Sequence, residues 1–151
     1  MKHAFRAERF EWEGVPAAGY QADGELEGKG YRGVTRRILS GATGEPSQFQ
    51  VRYFEVEPGG YTRLERHRHI HSVTVVRGRG YAIVGDKLHE LRNLDHVYVA
   101  PMTIHQFVND GNEPFGFLCI VDAQRDRPQP ASLDDARMLD ASPPTAGKYR
   151  L

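Results

Sequence analysis

The chain has 151 residues, 20 basic and 20 acidic side chains that cancel to a formal charge of zero, and a single cysteine, Cys119. That length makes about one domain with room for a proper core, and the interspersed charge leaves no basic or acidic block to mark nucleic acid or an anionic membrane as partner. A lone cysteine forms no intrachain disulfide, which fits a reducing, cytoplasmic setting.

Composition divides the chain into an N-terminal arm at 1–30, a central region at 31–125 and a tail at 126–151. The arm begins MKHAFRAERFEWEG, charged throughout and without the apolar stretch of a secretory signal. It then becomes rich in Gly, Glu and Ala with little periodicity. The central region carries strand signals in close succession. VTRRIL is followed by FQVRYFEVE, which Pro58, Gly59 and Gly60 are expected to close. YTRLERH, SVTVV, YAIV, KLHEL, HVYVAP, IHQFV and FGFLCIV come next, punctuated by Gly78, Gly80, Gly85-Asp86 and Asn109-Asp110-Gly111. About nine short strands with such turn signals and no long helical period predict an all-β sandwich or barrel. The strand FQVRYFEVE has apolar residues at both parities, so alternation leaves its inward face open. The apolar runs are too short to span a membrane as a helix. In the tail, Ser132 is the expected N-cap of one short helix. Asp135 completes a capping box, and Leu133, Ala136 and Leu139 follow at helical spacing.

Three of the seven histidines fall in the stretch ERHRHIH at 65–71. On a straight strand Glu65, His67, His69 and His71 would share one face, but each two-residue step advances about 6.5 Å. A neighbouring pair can chelate one ion and a row of four cannot. For His67 and His71 to reach one metal the chain must turn between them. A further histidine, His105, opens another strand in APMTIHQFVN. His3, His89 and His96 carry no motif and read as surface or packing residues.

GGYTRLERHRHIHSVTVVRGRG followed by LDHVYVAPMTIHQFVND resembles the two sequence motifs of the cupin family over roughly residues 45–125. Pro101, His105 and Asn109 fit the second motif, with Asn93 where its glycine usually stands. The first motif departs from the pattern and admits two registers. One puts His67 and His69 on the motif's His-x-His and leaves its glutamate position on Val73 or Thr74. The other counts back seven residues from Gly78 to His71, and the His-x-His pair then falls on Glu65 and His67, with Gly60 five residues before Glu65. The second fills every position and is preferred. The ligand set implied by the resemblance is Glu65, His67, His71 and His105, with His69 in the intervening turn as a supporting residue or substitute ligand.

The resemblance implies a jelly-roll barrel, a double-stranded β-helix, holding one divalent transition metal ion. Imidazole and carboxylate ligation suits Fe, Mn, Ni, Co or Zn. If His105 points inward on a regular strand, so do Phe107 and Asn109; the resemblance further implies that the face of Phe117 and Cys119 lines the cavity beside the metal, and that a small polar or anionic molecule is the substrate or ligand. The expected function is a metal-dependent enzyme, with dioxygenase-like chemistry as the first expectation because open positions beside histidines and one carboxylate resemble non-haem iron sites. The alternatives are isomerase or lyase chemistry on a redox-inactive metal, or a sensing or binding protein without turnover. No general base stands out beyond the ligands. Small cupins pair through barrel edges, so a homodimer is expected, with the N-terminal arm as a candidate to cross to the partner.

Overall fold

The structure is a computed structural model and describes residues 1–20 and 30–151; the part of the expected arm at 21–29 lies outside the described residues. The N-terminal segment forms the two-residue strands β1 (Phe5–Arg6), β2 (Glu11–Trp12) and β3 (Ala18–Gly19). The central strands are β4 (Arg32–Ser40), β5 (Phe49–Tyr61), β6 (Glu65–Arg66), β7 (His71–Arg77), β8 (Gly80–Val84), β9 (Lys87–Leu91), β10 (His96–Val99), β11 (His105–Val108) and β12 (Phe115–Asp122). The tail adds β13 (Gln129–Pro130) and one helix, α1 (Leu133–Ala141). Among the described residues no helix is long and apolar enough to cross a membrane.

All pairings are antiparallel. One wall runs β10-β7-β12-β5-β4-β3; the other is built on β9-β8-β11, with β6 and β13 alongside. The long β5 joins them, because its far end reaches β11 through Tyr61 and Val108. The curled sheet is the jelly roll expected above. It differs from the sequence reading at Pro58-Gly59-Gly60, which sits inside β5 instead of closing it. Gly59 has φ of +74°, and a Cβ on Gly60 would stand 2.7 Å from the Arg32 carbonyl oxygen and 2.8 Å from that of Glu57. The two glycines kink the strand from one wall to the other without ending it. A second difference is YTRLERH, which is not one strand: Tyr61 ends β5, residues 62–64 are irregular, and Glu65–Arg66 pairs as β6.

Cross-strand register decides what faces the barrel interior. Val56 opposes both Val34 and Phe115, Phe54 opposes Arg36 and Phe117, and Arg52 opposes Cys119. The inward face of β5 is therefore Arg52, Phe54 and Val56. Val73, Val75, Val97, Val99, Phe107 and Val121 complete the core. Tyr53 points outward yet is only 2% exposed, because Phe10 and Trp12 cover it at ring-centroid distances of 5.5 and 5.0 Å. Phe10 and Trp12 of the N-terminal segment thus cover an apolar surface that Tyr53 supplies on the chain's own barrel.

A second apolar cluster lies under the tail, where Leu139 packs with Leu64, Tyr81, Ile83, Ile104 and Val108. Ser132 caps α1 with the full capping box to Asp135. Leu139 is fully buried while Leu133, at the first turn, is exposed, so one leucine anchors the helix; its burial stabilises by about 2 kcal/mol. Gln106, also fully buried, ties the chain end down by donating to the Arg150 carbonyl and accepting from the Arg150 N–H.

Candidate metal centre

Glu65 and His105 stand directly opposite each other where β6 pairs with β11. After Arg66 the chain leaves the sheet, turns through 67–70, and re-enters it at His71 in β7. This is the turn that convergence requires. It brings His67 Nε2 to 2.8 Å from His71 Nε2. The ligand atoms of Glu65, His67 and His105 lie within 4.8 Å of one another, and so do those of His67, His69 and His71. His67 belongs to both groups and is the hub of the cluster.

Each imidazole is held through Nδ1. His67 donates to the His69 carbonyl at 2.7 Å and His105 to the Thr103 carbonyl at 2.9 Å. His69 Nδ1 lies 2.8 Å from Asp126 Oδ1, and His71 Nδ1 lies 2.9 Å from Cys119 Sγ. A carbonyl partner fixes the tautomer, so His67 and His105 carry their lone pair on Nε2, the atom aimed at the cluster. Burial, reinforced by the nearby His105 and His69, pushes His67 down to about 3. Burial likewise pushes His105 down to about 4 and lowers His71 well below the usual imidazole range. All three are neutral at pH 7, the form a divalent ion needs. Three neutral imidazoles and one buried carboxylate, with Nδ1 atoms already engaged, are a donor set that fits a transition metal.

The rings of His67 and His69 stack with centroids 3.6 Å apart and planes 3° apart. An imidazole lone pair lies in the ring plane, so an ion in the plane of one ring sits well out of the plane of the other. The two rings cannot both ligate one ion in this arrangement. His69 is buttressed instead by Asp126, which also accepts from the N–H groups of Arg68 and His69. Burial would raise the Asp126 carboxyl, but those hydrogen bonds outweigh it and hold it well below the usual carboxylate range.

The cluster opens into a cavity of about 770 Å³, of the size that takes small ligands. Phe107, Phe117 and Cys119 line it, and Phe54 joins the two phenylalanines in a continuous stack. Asn109, which regular alternation along β11 would turn inward with His105, is buried in a different role. It clamps the following turn, donating to the carbonyls of Val56 and Glu113 and accepting from Gly111.

No motif marks the remaining polar lining: Tyr20, Arg36, Arg52, Thr62, Arg63, Arg125, Asp126 and Arg127. The one available signal was Arg52, which shares parity with Phe54 and Val56 in β5. Burial, with Glu65 nearby, raises the Tyr20 phenol well above its ordinary value. Burial also raises the Cys119 thiol. Both groups keep their protons at neutral pH.

A family model described as a cupin domain matches residues 52–121. The chain is 36% identical to a cupin 2 conserved barrel domain protein from Rhodopseudomonas palustris, whose crystal structure it covers completely, and is itself covered completely, with a TM-score of 0.87. The chain belongs to the cupin family. A cupin 2 domain-containing protein from Halorhodospira halophila is 44% identical, with a TM-score of 0.74 over 97% of this cupin and 94% of that chain. A relative from Rhodospirillum rubrum is 40% identical over 136 residues, 88% of this chain and 82% of that protein. It is named 1-methylthio-D-xylulose 5-phosphate methylsulfurylase, an enzyme acting on a phosphorylated sugar.

Proposed function

We propose that this cupin is a metal-dependent enzyme in which Glu65, His67, His71 and His105 hold one divalent transition metal. Its substrate in this reading is a small phosphorylated ketose bearing a thioether, with chemistry at the carbon–sulfur bond beside the ketone. The observation that carries the reading is that Glu65, His67, His71 and His105 line one cavity, with His67 within ligand distance of both Glu65/His105 and His71, in a chain similar to a methylsulfurylase of that substrate class. When bound, the metal supplies Lewis acidity toward a carbonyl oxygen. The residues do the rest. Neutral His67, His71 and His105 present Nε2 atoms, and Glu65 offsets part of the ion's charge. His69 and Asp126 hold His67 in orientation. The Phe54, Phe107 and Phe117 stack keeps water from one side of the cavity, and the Tyr20 phenol is a protonated donor at its wall. Oxygen chemistry, expected from the ligand types, draws on the same residues, but a sugar-phosphate relative favours group transfer over it.

The test is turnover of 1-methylthio-D-xylulose 5-phosphate by the purified protein, before and after chelator treatment and after adding back Mn, Fe, Co, Ni or Zn. A thiol is included as acceptor for the methylthio group, and dioxygen uptake is followed in parallel. Turnover lost with the chelator and restored by one of these ions supports the reading. Turnover that survives complete metal removal, or dioxygen uptake with no change at sulfur, overturns it.

A further inference from the structure

Five arginines line the cavity, Arg36, Arg52, Arg63, Arg125 and Arg127, against two carboxylates, Glu65 and Asp126. Glu65 belongs to the metal cluster, and both Asp126 oxygens are taken by His69 and by backbone N–H groups. Among the described residues the lining therefore carries more guanidinium than carboxylate groups.

Arg52 is the most telling of these residues. It stands on the inner face of β5 opposite Cys119 and is 7% exposed. Its partners are a weak acceptor, Cys119 Sγ at 3.8 Å from Nη2, and the Phe54 ring 5.0 Å beneath the guanidinium. Its buried Nε has no hydrogen-bond partner. Among the described residues no carboxylate pairs with Arg52 or with Arg125. The Arg125 contacts are to the backbone carbonyls of Asp122 and Ala123. A guanidinium taken out of water costs free energy unless an anion meets it. Here Arg52 and Arg125 face one space. The crowding is felt at Arg125, whose hold on its proton is weakened by burial and then by Arg52 and Arg36.

We infer that Arg52 and Arg125, with Arg36 beside them on β4, form a phosphate-binding subsite that takes the phosphate monoester of the substrate while the sugar's oxygen end faces Glu65 and the histidines. The inference rests on the proposed function for the identity of the substrate, but not for the existence of the subsite. Guanidinium forks match the geometry of a phosphate dianion. Cys119 touches both regions, with His71 on one side and Arg52 on the other, so the two ends of the cavity are one side chain apart. A short phosphorylated sugar bridges such a distance, and an inorganic ion does not.

The experiment is titration calorimetry of D-xylulose 5-phosphate, D-xylulose and inorganic phosphate into metal-loaded and chelator-treated protein, with Arg52→Gln, Arg52→Lys and Arg125→Gln. The phosphorylated sugar is expected to bind both forms of the wild type more tightly than D-xylulose. Each Gln variant should weaken its binding by about tenfold to a hundredfold, the loss of one charge-assisted contact, and leave the affinity for D-xylulose unchanged. Arg52→Lys should recover part of the loss. Arg125 sits on the loop after β12, outside the apolar core, so its variant remains informative if Arg52→Gln fails to fold. Equal loss for the sugar with and without phosphate, or no loss in variants that melt like the wild type, overturns the subsite. So does inorganic phosphate binding as tightly as the sugar phosphate, which would mean a general anion site. The two readings fail separately. Arginine-dependent binding without turnover sinks the proposed reaction and leaves the subsite. Turnover of the methylthio ketose phosphate with unchanged kcat/KM in both Gln variants sinks the subsite and leaves the reaction.

Discussion

Replacing His69 by alanine should leave the metal in place, whereas replacing Glu65 by alanine should remove it. His69 contributes two things to the cluster. Its backbone carbonyl accepts the Nδ1–H of His67 at 2.7 Å, and alanine keeps that carbonyl. Its ring stacks on His67 and contacts Asp126, and alanine loses only this support. Loss of an outer support costs about tenfold to a hundredfold in metal affinity, and the retained carbonyl puts His69→Ala at the lower end. Glu65 is 5% exposed and is the carboxylate opposite His105. Four-ligand structural zinc sites bind with roughly 10–16 kcal/mol in total, and on that scale one ligand carries about 3 kcal/mol, more than a hundredfold. The assay is competition of each variant against a chromophoric chelator, with metal content by plasma mass spectrometry after dialysis. The stacking geometry would be the wrong guide, and the His67/His69/His71/His105 register the right one, if His69→Ala lost metal as completely as Glu65→Ala is expected to, or if Glu65→Ala retained it.

Chelator-treated protein should lose stability as pH falls from about 6.5 toward 4. Below 6.5 the unfolded histidines take up protons that folded His67 and His105, pushed down to about 3 and about 4, do not. Acid therefore favours the unfolded chain by up to about 1.4 kcal/mol per pH unit for each, and the contribution is intact above the unfolded value. Melting temperatures that stay flat over that range would contradict the buried, neutral assignment. Asn109→Ala removes three hydrogen bonds of 2.8–2.9 Å inside the fold. It should cost about 3 kcal/mol and lower the melting temperature by roughly 10 °C; a shift of only one or two degrees in a thermal melt would refute the clamp role. Among the described residues β10 pairs with β7 alone, at an edge of the sheet, and it leaves Tyr98 55% exposed. An unprotected edge of this kind favours a homodimer, and sedimentation at micromolar concentration giving a monomer would count against it.

Local patterns in the chain were enough to indicate an all-β sandwich or barrel and one short helix capped by Ser132, and the two motifs that resemble those of cupins narrowed the fold to a jelly-roll barrel. Alternation and turn residues report on neighbours within a few positions, and so do capping boxes. The need for a turn between His67 and His71 followed from strand rise alone, and the structure has that turn. Motif spacing preferred the register with Glu65, His67, His71 and His105; the parallel stacking of the His67 and His69 rings is a separate, three-dimensional argument for it that no spacing encodes. The inward face of β5 was equally hidden. Val51, Tyr53 and Glu55 alternate with Arg52, Phe54 and Val56, so both parities carry apolar and charged residues, and the register with Cys119 decides that Arg52 faces the barrel interior. Tyr53 is buried on the outer face by residues some forty positions earlier. Asp126 meets His69 across 57 positions, and Tyr20 enters the cavity from the far end of the chain. Contacts of that separation depend on how the barrel closes, and closure is a property of the whole set of strand registers that no single segment carries.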